Sequence, residues 1–391
     1  MALILARSPY HISRGDYDSG SQLGINIGYK DSSGVYNSIK IYNLVFRNES
    51  HLDISPFIRD YFPEYNVLTV FTKITGNKSG VPSTFDPSTE HTAVDGYSYY
   101  EDGANKDFTD TLKDETAYYA GSNNVIYRNR KEPIKIPLLC ADNDATEHDA
   151  YYSTLRFYKD NTELSIISST DFGVSQNDIT TFTTSERIQY IEEDVVDSFE
   201  ERVLNDEGIY ESNCERLFDD AYEENTPNRV VITPVGDDSK AYELTIVPVQ
   251  ECNYTPHKLI FINKFGVEEE LWFFKKSVDN ITTSRESFRA NTLPNYLSGN
   301  ADERLSQHSY ASYNLNGKKT MNMNTGFIPE SFKENIRQLM LSEKVWIYLD
   351  GNKLPITIKN SDMVLKKAIN EKLINYEIEI EFAYDIINNI G

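Results

Sequence analysis

The residue types that do most enzymatic work are present in this chain, but not in working arrangements. The six histidines, His11, His51, His91, His148, His257 and His308, stand apart from one another. None shows the HxH or HExxH spacing that would bring two imidazoles to one metal. The sequence contains no GxSxG elbow, no GxxxxGK[ST] loop and no GxGxxG turn, so acyl transfer, P-loop and dinucleotide chemistry lack their local signatures. Cys140 precedes His148 by a short stretch, but nearness in sequence does not make a dyad. A thiol directly after Leu138-Leu139 reads as a small buried hydrophobe. Asp142-Asn143-Asp144 with Glu147, His148 and Asp149 is the one oxygen-rich cluster. A calcium loop of EF type needs Gly at its sixth position and Glu at its twelfth; Glu147 and Ser153 stand there instead, and the segment reads as a solvated loop. Carboxylate pairs abound in a chain with 61 Asp and Glu. Glycoside hydrolysis needs two of them facing across a cleft, about 5 to 10 Å apart, and nothing in the spacing nominates a pair. These residues predict a protein with no catalytic centre, no cofactor and no metal.

Composition narrows the partners. A formal charge of −23 works against nucleic acid, whose phosphates call for a basic stripe, and against an anionic membrane surface. Cys140, Cys214 and Cys252 are odd in number and far apart, which predicts neither disulfides nor zinc and fits synthesis in a reducing cytoplasm. The apolar run after Met1 stops at Arg7 and Pro9, too short for a signal peptide. No stretch approaches the roughly 18 apolar residues of a membrane span. With 27 Tyr and 19 Phe against 2 Trp, the aromatic content suits strands and contact surfaces.

The elements that must position any site are therefore strands. Leu23 to Tyr29 places apolar residues at every second position, the period of a half-buried strand, with Ser38 to Phe46 as its partner and Val67 to Ile74 beyond. Between them Ser55 can cap, and Pro56 open, a short helical turn. From 76 to 124 the chain turns polar and Tyr-rich, with Tyr97, Tyr99, Tyr100, Tyr118 and Tyr119; we read an inserted hairpin or arm that packs on a neighbour. Thr154 to Tyr158 and Glu163 to Ser168 form a candidate pair. Residues 190–225 are acidic, and Ile188, Ile191, Val195, Phe199 and Val203 fall at helical spacing, although their β-branched content leaves helix and strand open.

Two hairpins open the C-terminal half, Arg229 to Thr233 with Tyr242 to Val249, and Lys258 to Ile262 with Glu270 to Phe274, the second placing Trp272 in a core. Pro329 to Leu341 predicts a helix with Phe332, Ile336, Leu339 and Met340 on one face. In the last strand Ile374, Tyr376, Ile378, Ile380 and Phe382 alternate with Asn375, Glu377, Glu379 and Glu381. That ladder of like charges needs basic neighbours or a basic partner. The expected fold class is mainly β, of sandwich- or barrel-like domains, with a β-rich α+β C-terminal module. The expected divisions are an N-terminal β-sandwich over 1–182 carrying the insertion, an acidic linker over 183–228, and a C-terminal domain over 229–391.

Several segments resemble tail- and baseplate-associated structural proteins of bacteriophages that infect Bacteroidota. They are Ala6-Arg-Ser-Pro-Tyr-His-Ile12, Asp53-Ile-Ser-Pro-Phe-Ile-Arg-Asp60, Lys258 to Gly266 with Trp272 to Ser277, and the closing stretch from Asn322 through Trp346 and Asn375 to Asp385. The resemblance implies a virion protein packed in a ring with copies of itself and with other tail, baseplate or neck proteins. It carries no catalytic motif. Rings use two different patches of one subunit, and the candidate partner interface is Glu377, Glu379 and Glu381 with Tyr97, Tyr99 and Tyr100. A receptor- or glycan-binding tail module is the second reading; it calls for a shallow pocket rimmed by aromatic side chains.

Overall fold

The computed structural model describes residues 3–14, 22–30, 35–45, 50–60, 62, 67–78, 81–83, 89–105, 117–129, 136–140, 153–159, 162–168, 188–191, 202–204, 210–212, 228–234, 241–249, 251–289, 308, 310–360 and 373–387. Strands dominate, as the patterning predicts, and the fold class is mainly β. The chain divides into two compact units: Met1–Gln250 with Ile260–Leu271 and Ser331–Glu343, and Glu251–Leu259 with Trp272–Glu330 and Lys344–Gly391. Among the described residues no helix is long and apolar enough to cross a membrane.

In the first unit, one sheet runs in the order Leu3–Leu5, Thr89–Val94, Val67–Lys78, Gln22–Lys30, Tyr36–Val45, with Val81–Ser83 folded back on the end of Val67–Lys78. The first two strands are parallel and the rest antiparallel. Ile25, Ile27, Val70 and Ile74 share a core with Ile4, Ile54, Ile58 and Phe62. The short helix Ser55–Arg59 forms where expected, but Ser55 does not cap it. Its hydroxyl instead donates to the Ser8 carbonyl and accepts from the Tyr10 amide, at 2.6 and 2.8 Å. That serves two backbone groups outside the helix, the buried Ser8 carbonyl and the partly buried Tyr10 amide.

A second sheet runs Val125–Asn129, Tyr242–Val249, Arg229–Pro234, Ser153–Lys159, Thr162–Ser168. The predicted hairpin of 229–249 is therefore present, but it completes this sheet, pairing with Ser153–Lys159 on one side and lying parallel to Val125–Asn129 on the other. The divide expected at 228 and 229 is consequently not where the contacts break. Helix Lys333–Leu341 likewise groups with the first unit. Ile188–Ile191 joins Ile136–Cys140 and Ala117–Tyr119 in a three-stranded sheet, and Arg202–Leu204 pairs with Tyr210–Ser212. At those positions the β-branched side chains decide for strand over helix; the rest of the acidic tract, and the 142–149 cluster, lie outside the described residues.

The second unit is built on a seven-stranded sheet in the order Glu268–Phe273, His257–Ile262, Val345–Leu349, Asn352–Ile358, Glu377–Phe382, Tyr310–Asn324, Val278–Arg289, its first two strands having only some of their residues in this unit. The closing strand keeps the predicted alternation: Ile378, Ile380 and Phe382 are buried, Glu377 and Glu379 exposed. Asp350 and Gly351 both have positive φ, +50° and +77°. This mirror-image turn matches the strand twist of the hairpin it closes. The hairpin of Val278–Arg289 with Tyr310–Asn324 was not expected from the patterning.

Gly28 offers a clean stability test. A methyl group there would overlap the Asn37 carbonyl oxygen and the buried Phe71 ring, beside a bulge in the pairing with Tyr36–Val45. Gly28→Ala should lower the stability by about 2 kcal/mol, read as a lower urea midpoint at an unchanged slope.

Candidate functional site

Four places in the described structure gather side chains of functional interest. The most deeply buried is a carboxylate in the first unit. Glu269 closes the turn Asn263–Val267 and is almost wholly shielded from water. Its Oε2 accepts from the Ser122 amide at 3.1 Å and from Asn263 Nδ2 at 2.9 Å, and its Oε1 from Asn335 Nδ2 at 2.7 Å and from the Ser122 hydroxyl. Asn263, itself fully buried, also donates to the Ala120 carbonyl at 2.6 Å and accepts from Phe265 N. Tyr119 packs nearby, with its hydroxyl donating to the Asn123 carbonyl at 2.9 Å, and Gly121 is glycine because a methyl group would overlap that hydroxyl. Burial pushes the Glu269 carboxyl upward, against the four donors that favour its ionised form. Burial also raises Tyr119, with the Glu269 charge adding to it. Among the described residues, the donors to this carboxylate are all uncharged. Its geometry holds a loop, a hairpin turn and a helix together.

Beside it, the predicted tyrosines fall into three environments. Tyr97 is buried, with its amide donating to the Lys264 carbonyl at 2.9 Å and the Arg7 guanidinium 4.9 Å from its ring. Burial pushes its hydroxyl up to about 12, and the Arg7 charge opposes. Tyr99 is half-buried: Arg337 lies 3.6 Å over its ring and its hydroxyl donates to Glu334 Oε1 at 2.5 Å. Tyr100 alone of the three is fully exposed. The expectation of an arm over 76–124 is corrected for the described residues, because 76–78, 81–83 and 89–94 belong to strands of the first unit and Tyr97 packs inside it. Tyr97 and Tyr119 serve the unit's own interior, whereas Tyr100 faces water.

The carboxylate ladder is partly offset within the sheet. Glu381 receives Lys318 at 3.0 Å and Lys359 at 3.1 Å, and the Lys318 hydrogen bond, followed by that of Lys359, holds its carboxyl below the usual range. Glu377 accepts from Asn324 Nδ2 at 3.1 Å. Among the described residues no cation meets Glu379, which leaves its carboxylate as the ladder's outward charge.

The fourth place is the Val278–Arg289 and Tyr310–Asn324 hairpin. Every residue of its first strand is exposed. Only Thr320 to Asn324 of the second strand continue into the sheet by pairing with Glu377–Phe382; the remainder stands as a two-stranded ribbon. It carries Ile281, Phe288, Tyr310 and Tyr313, each more than half exposed, with Phe288 and Tyr313 in contact at 5.9 Å between ring centroids. A break in register between Ser284 and Glu286 lies opposite Asn314, whose φ is +50°, so the ribbon bends there. Ile386 and Ile387 add exposed apolar surface at Gly317 and Asn316, hydrogen-bonded to them at 2.8 and 3.1 Å. Alternation could not reveal this ribbon, because with neither face buried there is no periodic burial to encode. The available signal was an Ile-Thr-Thr run in a stretch free of Gly and Pro.

Glu269 yields a pH test. Its folded carboxyl is raised above the ordinary 4.5, so the fold keeps a proton that the unfolded chain releases once the pH passes that value. The contribution is therefore fully present below pH 4.5 and is lost as the pH climbs through the folded value. Glu269→Gln should flatten that slope in melting temperature against pH. Glu269→Ala should cost about 3 kcal/mol, because it strands several buried donors, as measured by chemical denaturation.

No family model matches the chain, and no curated protein matches it. Among solved structures it is similar to the FN1–FN3 domains of chicken CNTN1, over 63% of this chain and 65% of that one, at 7% identity and a TM-score of 0.16. What the chain does must be argued from its own residues.

Proposed function

We propose that the chain is a non-enzymatic structural subunit of a bacteriophage virion, placed in the tail, baseplate or neck, where it forms a ring with copies of itself and with companion proteins. The observation that carries this reading is the exposed ribbon. Folded proteins seldom leave large apolar side chains clustered in water unless another surface covers them, and Phe288, Tyr310 and Tyr313 are of the aromatic type that anchors interfaces. A two-stranded ribbon on its own is marginal in water, so a covering surface also gives it a reason to stay ordered. The segments that resemble phage tail proteins, 258–266, 272–277, 322–346 and 375–385, surround the ribbon in sequence and support the same reading. The absence of catalytic spacing among the histidines, cysteines and carboxylates fits a protein whose work is contact.

The reading is tested by association. The purified chain should form discrete oligomers in light scattering after size-exclusion chromatography. Phe288→Ser with Tyr313→Ser should weaken them by about 2 kcal/mol per anchor, some thirtyfold each. The melting temperature of the dissociated subunit, taken at low concentration, should stay unchanged because both side chains face water in the single chain. A wild-type chain that stays monomeric at high concentration, alone and with companion virion proteins, would sink the proposal.

A further inference from the structure

The second unit also holds a cleft of about 340 Å³, on the scale of small-ligand sites. Its walls come from three stretches: Lys275 to Val278, Asn322 to Phe327, and Asn375 to Glu377, with Tyr254 at one side. The walls are tied to one another. Lys275 N donates to the Asn324 carbonyl at 3.1 Å, and the Asn324 amide donates to Glu377 at 3.1 Å while accepting from Gly326 N at 2.7 Å. Thr325 and Tyr376, buried neighbours of the lining residues in sequence, exchange hydrogen bonds, both at 3.0 Å. Gly326, at φ +76°, makes the turn, and its α-carbon faces the Lys275 side chain so closely that a methyl group would press on it. The shape therefore does not depend on a ligand to form it.

The chemistry of the lining selects among ligands. Lys275 is engaged by Glu251 at 2.7 Å, so no pair of open cations awaits a phosphate. Among the described lining residues Glu377 is the only carboxylate, too few for a hard divalent cation. What remains is amide side chains (Asn322, Asn324 and Asn375), which both donate and accept, and two aromatic rings that the core does not use. Phe327 is 72% exposed and Tyr254 43%. Hydroxyl groups also donate and accept, and the C–H face of a sugar ring is the flat, weakly apolar surface that an exposed aromatic ring accommodates. We propose that this cleft binds a saccharide, with a ring laid against Phe327, the more exposed of the two aromatics, and hydroxyls shared among the asparagine amides and Glu377. Lys276 on the rim favours a sugar that carries a carboxylate. This inference does not rest on the assembly reading, and either can fail alone.

The experiment uses the full chain and ligand-observed NMR with a panel of neutral, amino and uronic-acid oligosaccharides at millimolar concentration. At least one class should bind, with uronic-acid members strongest. Phe327→Ala and Asn322→Ala, both at exposed positions, should each weaken binding about tenfold, a change of 1.4 kcal/mol, with the melting temperature unchanged. Lys276→Gln should reduce the preference for acidic sugars and leave neutral ones as they were. No binding by any class, or binding that Phe327→Ala does not weaken, would overturn the proposal. The oligomeric state of the same samples, read by light scattering, keeps this outcome separate from that of the association test.

Discussion

In the first unit, one uncompensated carboxylate dictates where three distant stretches of chain must sit. Burying Glu269 without a cation is costly, and the cost is met only if Ser122, Asn263 and Asn335 all arrive in place. Each of them comes from a different element: the loop after Ala117–Tyr119, the hairpin turn and helix Lys333–Leu341. The arrangement is cooperative, since withdrawing any one donor leaves the carboxylate short and the others misplaced. From there the polar contacts continue outward. Gln338, also fully buried, accepts from Lys264 N at 3.0 Å and donates to Glu334 at 2.9 Å, and Glu334 holds the Tyr99 hydroxyl. Tyr99, expected to meet a neighbour, is thus the far end of an internal network.

The second unit follows a different rule. Its interior is mainly apolar, with Met321, Met323, Ile347, Ile356, Ile378 and Ile380 facing one way along successive strands. Lys258 is buried against the Trp272 ring, while Lys318, Lys359, Glu377 and Glu379 lie at the surface. Lys318 and Lys359 close on Glu381 from the two flanking strands, which removes most of the repulsion that three glutamates along one strand would generate. Where the sheet ends, the chain continues as ribbon without an interior to fill. That is why this stretch shows apolar side chains to water while the strands beside it do not.

The sequence was legible where one face is buried and the other wet. The closing strand, the Gln22–Lys30 strand and the helix through Ile336 and Leu339 could be read because burial imposes a period on them. It was illegible in three physically distinct situations. Strand partnership over long separations leaves no local mark, so Arg229–Pro234 could not be seen to complete a sheet begun at Val125. A polar side chain that packs inward looks like one that faces out, which is how Tyr97 was read as partner-facing and Glu269 escaped notice. The ribbon, exposed on both faces, has no period at all. Of the six residues expected to meet a partner, Tyr100 and Glu379 keep an outward side chain without an internal cation or cavity to serve, whereas Tyr97, Tyr99 and Glu381 are engaged within their own units and Glu377 is tied to Asn324.

Charge sets a condition on any contact between copies. Chains of net −23 repel at long range, and that repulsion is screened within about 10 Å at ordinary ionic strength. A docking element on such a molecule must be locally neutral or basic, with attraction supplied at short range by apolar area. The ribbon meets this condition. Arg285, Arg289, Lys318 and Lys319 outnumber Asp279 and Glu286 on it, and Lys319 already neutralises Asp279 at 2.8 Å. Its exposed rings lie among these charges, Tyr310 opposite Arg289 and Tyr313 opposite Glu286, toward the end that leaves the sheet. Under the assembly reading, the acidic bulk of the chain keeps subunits apart until the ribbon is seated. Contact strength is then decided by a few aromatic side chains, whereas the acidic surface governs how fast and in which orientation subunits approach.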